Sequence, residues 1–133
     1  MKVLIDTNIL VSAVLFQQGL ARKALVDAVE GDSDVIVCDY SISELHDVFE
    51  RKFPAETKLL PQFMAYLSAG VTIVSTPDHA EPDEPVLRDP KDQPILAAAL
   101  AVGADAILTG DKDLLNAGLM RLKAIRPRDF LAR

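Results

Sequence analysis

The chain has 133 residues and carries 14 Lys+Arg against 20 Asp+Glu, a formal net charge of −6. Half of it is hydrophobic and 26% is charged, which excludes a disordered chain and predicts one domain over residues 1–133 with its own core. With a sequence pI of about 4.8 it is not a generally basic nucleic-acid binder, so the question becomes where its carboxylates gather.

No membrane span is expected. The longest charge-free stretch, Thr7 to Ala21, falls short of the roughly 18–20 apolar residues a spanning helix needs. Thr7, Asn8, Gln17 and Gln18 dilute it further. Asp6 interrupts the N-terminus, which argues against an export signal. Cys38 is the single cysteine and has no internal disulfide partner, so a cytoplasmic location is the expectation.

In chain order, Lys2–Ile5 predicts a buried first strand that stops at Asp6-Thr7-Asn8, where a helix begins. That helix is expected from Ile9 to Phe16, broken near Gln18-Gly19. Leu20, Ala24, Leu25, Ala28 and Val29 then repeat at helical spacing up to Gly31. Val35–Cys38 is a second strand. Ile42, Leu45, Val48, Phe49 and Phe53 share one face of a helix over Ser41–Phe53, ended by Pro54. A further helix is expected through Leu59–Leu67, closed at Gly70, and a third strand over Val71–Val74.

Ser75–Lys91 carries Pro77, Pro82, Pro85 and Pro90 among acids and reads as a surface loop. Pro94 opens an alanine-rich helix, Ile95–Val102, with Gly103 at its end. Ala106–Thr109 is a fourth strand, Asp113–Asn116 a short helix, Leu122–Ile125 a fifth strand, and Arg126–Arg133 a basic tail with one helical turn. Continuous apolar strands separated by helices predict an α/β fold in three layers, with a parallel sheet of about five strands between helices.

In such a sheet ligands bind beyond the carboxyl ends of the strands. Asp6 follows strand one, Glu44 lies just past strand two, and Asp111 follows strand four by one glycine. Asp92 precedes the helix that returns after strand three, which a right-handed crossover brings to the same edge. Each has an ordinary explanation as well. Asp6, Asp92 and Asp111 stand where helix caps stand, and Ser41-x-x-Glu44 matches a capping box. Taken together, crowded acids repel unless a cation compensates, and carboxylate oxygens suit Mg²⁺ or Mn²⁺. Two histidines, His46 and His79, and one cysteine argue against zinc. Hard divalent ions at such a rim activate a water for phosphodiester cleavage without a protein nucleophile.

Asp6-Thr7-Asn8-Ile9-Leu10 resembles the opening of PIN-domain ribonucleases. Ser43-Glu44-Leu45, Asp89-Pro90-Lys91-Asp92 before Ile95–Ala99, and Thr109-Gly110-Asp111-Lys112-Asp113-Leu114 are similar to the family's later acidic segments, in order. The resemblance is greatest to the toxins of bacterial type II toxin–antitoxin pairs. It implies a PIN fold, Mg²⁺- or Mn²⁺-dependent RNA cleavage, an antitoxin protein that covers the site, and a homodimer. By that resemblance Asp6, Glu44, Asp92 and Asp111 bind metal or orient its water, with Asp89 and Asp113 flanking; either Asp89 or Asp92 is the direct ligand, Asp92 being preferred for its helix-start position. Asn8 and Thr109 either hydrogen-bond the acids or a phosphate, or serve local turns.

Arg88, Lys91 and Lys112 neighbour the predicted rim and either offset phosphate charge or are simply solvated. Arg121, Lys123, Arg126, Arg128 and Arg133 contact RNA, a partner or solvent. Phe16, Phe49, Phe53 and Phe63 fall on apolar helical faces and are assigned to core or dimer surface. Two rival readings stand beside the nuclease. One is a PIN-like domain that binds partners without catalysis. The other is a receiver-type signalling module, which wants paired acids after strand one and an acceptor aspartate after strand three; Val74 is instead followed by Ser75-Thr76-Pro77.

Overall fold

The computed structural model describes residues 1–133. Five strands form one parallel sheet: β1 (Lys2–Ile5), β2 (Asp34–Cys38), β3 (Thr72–Val74), β4 (Ala106–Leu108) and β5 (Lys123–Ile125), in the spatial order β3-β2-β1-β4-β5. Its helices are α1 (Thr7–Leu15), α2 (Leu20–Glu30), α3 (Asp39–Lys52), α4 (Leu60–Gly70), α5 (Gln93–Ala101), α6 (Lys112–Leu115) and α7 (Pro127–Ala132). The expected α/β fold, with a parallel sheet between helical layers, is the one observed.

The two faces of the sheet divide the core by the alternation of strand side chains. Val3, Ile5, Val35, Val37 and Leu108 pack under α1 to α4 and α7, around Leu10, Leu25, Leu45, Phe49 and Phe130. Leu4, Ile36, Cys38 and Ile107 face the other way onto Ile95, Leu96, Ala98 and Ala99 of α5 and Leu114 of α6. Both faces are covered over β2, β1 and β4, so these strands read as apolar runs, while β3 and β5 at the edges are exposed or half-buried. Cys38 is a buried, free thiol in this second layer, as expected.

The chain order decides where a ligand fits. From β1 the chain moves outward to β2 and β3, then crosses back to β4 on the opposite side of β1. The strand order thus reverses between β1 and β4, and such a switch point opens a crevice at the carboxyl edge. A receiver-type sheet runs 2-1-3-4-5. Here β3 is an edge strand and never touches β1, which removes that alternative.

Several element boundaries differ from expectation by a residue or more. α1 begins at Thr7, two residues before Ile9, because Asp6 supplies the extended cap position. α3 begins at Asp39, so Ser41 lies inside its first turn rather than at its cap, and the capping box with Glu44 does not form. Ser41 is fully buried instead and accepts a hydrogen bond from Thr7 Oγ1 at 3.0 Å. Pro54–Leu59 forms a 3-10 helix ahead of α4, since proline suits a helix start and stops α3. The C-terminal tail is helical as α7, held by the buried ring of Phe130. Past α5 the chain turns at Gly103, whose φ of +66° favours glycine. No single helix is long and apolar enough to cross a membrane.

Candidate metal centre

At the switch point Asp6 continues β1, its backbone N–H donating to Leu108 O of β4 at 3.0 Å. The residue is 2% exposed. Although it holds the cap position of α1, its side chain makes no cap bond there. Thr109, fully buried at the end of β4, donates its hydroxyl to Asp6 Oδ2 at 2.7 Å. The same Thr109 oxygen accepts the Asp111 N–H at 2.9 Å. Asp111 Oδ1 in turn accepts the Asp113 N–H at 2.7 Å, which caps α6. One threonine therefore ties the acid after β1 to the loop that carries the acid after β4.

Asp92 reaches this place from the far side, at the cap position of α5, and makes no cap bond either. It is buried, and its Oδ2 has no hydrogen-bond partner. Asp92, Asp111 and Asp113 present carboxylate oxygens within 4.8 Å of one another. Glu44, half-buried on α3, lies near enough to Asp6 to act on it by its charge, and its Oε2 accepts the Tyr40 hydroxyl at 3.4 Å.

The electrostatics show how closely these acids crowd. Burial pushes the Asp6 carboxyl up to about 6, with added repulsion from Asp111 and Glu44, while the Thr109 and Thr7 hydrogen bonds pull against the rise. Asp92 is pushed up to about 7, first by burial, then by the charges of Asp111 and Asp6. Tyr40 is raised to about 12 by burial and by the negative field of Glu44, Asp89 and Asp92. An acid with an orphaned oxygen, facing two other carboxylates at ligand spacing, lacks positive charge. The donor set is all oxygen, which fits a hard divalent cation of the Mg²⁺ or Mn²⁺ kind.

The remaining candidate residues separate clearly. Asp113 belongs to the tightest group of acids, whereas Asp6 acts on that group by its charge and Glu44 acts in turn on Asp6. Asp89 Oδ1 is engaged by the Lys91 N–H at 3.0 Å in a local turn, and acts on Asp92 through its charge. Asn8 is exposed and hydrogen-bonds none of the acids. Arg88 is tied to Asp113 at 3.2 Å with its side chain 87% exposed. Lys91 and Lys112 are exposed and unpaired. Of the C-terminal cations, Arg121 pairs with Glu81 at 2.7 Å and Arg133 with Asp27 at 3.0 Å, so both are already neutralised within the chain. Phe49 and Phe63 are core, while Phe16 is 61% exposed.

Two features escaped sequence reasoning. Thr7 is buried, and its hydroxyl joins the start of α1 to the start of α3 through Ser41. Tyr40 sits four residues before Glu44, the i to i+4 spacing that places its phenol over that carboxylate. Gln93 matters locally. It receives the Leu87 N–H at 2.8 Å and donates to Pro85 O at 2.8 Å and to Glu84, stapling the proline-rich loop to the first residue of α5.

Fold and site together define a parallel α/β protein with an acidic centre at its β1/β4 switch point. Residues 2–113 match the PIN domain family, and the chain belongs to it. No curated protein matches it in sequence. Among solved structures it is similar to VapBC2 from Rickettsia felis bound to a DNA fragment from its promoter, with a TM-score of 0.70 and 14% identity over 95% of this chain and 98% of that one. It is also similar to VapC20 of Mycobacterium tuberculosis, a sarcin–ricin loop cleaving toxin, with a TM-score of 0.67 and 14% identity over 91% of this chain and 98% of that one.

Proposed function

We propose that residues 1–133 form one metal-dependent endoribonuclease domain that hydrolyses RNA phosphodiester bonds. The observation that carries this reading is the buried, unpartnered Asp92 Oδ2 beside Asp111 and Asp113. Asp92, Asp111 and Asp113 hold the cation, with Asp6 and Glu44 completing the acidic wall and Asp89 adding charge from outside. A bound Mg²⁺ or Mn²⁺ supplies the positive charge that activates a water and neutralises the phosphodiester.

The chain's own groups do the positioning. Thr109 fixes the orientation of Asp6 and of the Asp111 loop through one hydroxyl. Tyr40 holds Glu44 through its phenol, which stays protonated at neutral pH. Arg88, which pairs with Asp113, together with Lys91 and Lys112 offsets phosphate charge at the mouth. Likeness to VapBC2 and to VapC20, a cleaving toxin, supports a toxin role; action in the cytoplasm as a homodimer under an antitoxin of a type II pair belongs to the same proposal.

Incubating the purified protein with single-stranded RNA tests the nuclease reading. Cleavage is expected with Mn²⁺ or Mg²⁺ and lost with EDTA. Cleavage that persists in excess EDTA, or that is absent with every divalent ion, overturns it.

A further inference from the structure

Beside the acidic centre a groove of about 370 Å³ runs along the outer stripe of α3. Tyr40, Ser43, Glu44, Asp47, Glu50 and Arg51 line it at helical spacing, and Lys91 faces them from the loop before α5. One end of the groove is Glu44, an acid of the proposed centre. The other end is Arg51, in the last turn of α3. The wall is amphoteric, with a phenol ring, acceptor carboxylates and two cations. An apolar peptide or a bare anion has no use for that mixture. A nucleotide does, because its base offers a π-face and N–H donors while its backbone offers a phosphate.

We infer that this groove is a nucleotide subsite, in which the base flanking the cut stacks on Tyr40 and donates to Asp47 while its phosphate meets Arg51 and Lys91. The inference rests on the ribonuclease reading and specifies it: the substrate strand leaves the centre along α3, single-stranded and unstacked. The volume suits one nucleotide, at the low end of the roughly 300–1,000 Å³ of small-ligand pockets. The Tyr40 hydroxyl is held by Glu44, which keeps the ring at the boundary between centre and groove.

The composition of the chain makes the test direct. It contains no tryptophan and two tyrosines, so in a Tyr66→Phe variant Tyr40 is the only tyrosine emitter. A short oligoadenylate is titrated into that variant with Ca²⁺ present, and binding is followed in parallel by anisotropy. Stacking is expected to quench Tyr40 emission as the oligonucleotide binds. In steady-state cleavage with Mn²⁺, Arg51→Ala is expected to raise KM about tenfold and to leave kcat within about twofold, as loss of one phosphate contact predicts, whereas Tyr40→Ala, which also frees Glu44, is expected to raise KM about tenfold and to lower kcat as well. Arg128→Ala, on exposed α7, serves as the unchanged control.

Binding without quenching, no binding at all, or an unchanged KM in both groove variants overturns the subsite. A wild-type protein that binds and quenches but cleaves nothing sinks the nuclease reading while leaving the groove an RNA site. The two failures are therefore distinguishable.

Discussion

The hydroxyl of Thr109 donates to Asp6 Oδ2 at 2.7 Å across 103 residues of sequence, and the same oxygen accepts the Asp111 N–H. This one atom joins the ends of β1 and β4 at the point where the sheet order reverses. It also opposes the burial that pushes the Asp6 carboxyl up. Thr109→Val keeps the shape and removes both bonds. A destabilisation of about 1–3 kcal/mol is expected, since a buried carboxylate loses its donor. Urea denaturation checks it, and a loss below about 0.5 kcal/mol would show that the bond does not hold the two strand ends together.

Asp92 presents the opposite trade. Its carboxyl is buried against like charges, and ionising it in the metal-free protein is unfavourable. Asp92→Asn should therefore raise the stability of the metal-free protein by about 1–2 kcal/mol at neutral pH while abolishing cation binding and lowering RNA cleavage by about 100-fold or more. Thermal melts in EDTA and Mn²⁺ titration calorimetry measure the two halves. A variant that is less stable and still binds Mn²⁺ would place the ion elsewhere.

The same crowding fixes a pH dependence. In the folded, metal-free protein Asp6 titrates at about 6 and Asp92 at about 7, against an ordinary 3.8. Between these values the folded state keeps protons that the unfolded chain has released. Stability from these two groups is thus fully present below about pH 4 and is lost as pH rises through about 6 and 7. Asp39, held below 3.8 by Thr76, acts in the opposite sense and only beneath that window. Cation binding must expel the same protons, so affinity should climb through the same range. Denaturation in EDTA at several pH values and Mn²⁺ titration across them check both trends; a flat Mn²⁺ affinity between about pH 5 and 8 contradicts the assignment.

The central strands were legible in the sequence because strands buried on both faces are continuous apolar runs, and the acids at the rim were legible because Asp6, Glu44 and Asp111 come soon after such runs and Asp92 precedes the returning helix. What the sequence hid was contact across elements. Ser41 and Glu44 carry the spacing of a capping box, yet α3 starts two residues earlier and turns Ser41 into the core. Local pattern cannot tell a cap from a first turn when a neighbouring helix supplies the partner. Asp113 stood as a flanking residue because nothing local shows that the α6 cap folds it back toward Asp92. Asn8, which the resemblance left open as a site residue or a local turn, is exposed. Tyr40 went unnoticed since an aromatic near a helix start has no motif of its own.

The Thr7–Ser41 pair makes the last of these hidden contacts measurable. Thr7 is 3% exposed and Ser41 is fully buried, with Cys38 Sγ 3.5 Å from the same hydroxyl. The bond spans the first turns of α1 and α3, so it sets the helix after Asp6 against the helix that bears Glu44. Ser41→Ala leaves the Thr7 hydroxyl without its acceptor in a dry place and should cost about 1–2 kcal/mol. Thr7→Val removes the donor, while Cys38 remains as a weak partner for Ser41, so its cost should be smaller. Combining both changes removes the polar groups together, and the double variant should be less destabilised than the sum of the singles by about 1 kcal/mol. Urea denaturation of the four proteins gives the coupling directly. Strict additivity would mean that the two helices are aligned by their apolar faces alone, and the hydroxyl pair merely occupies the seam.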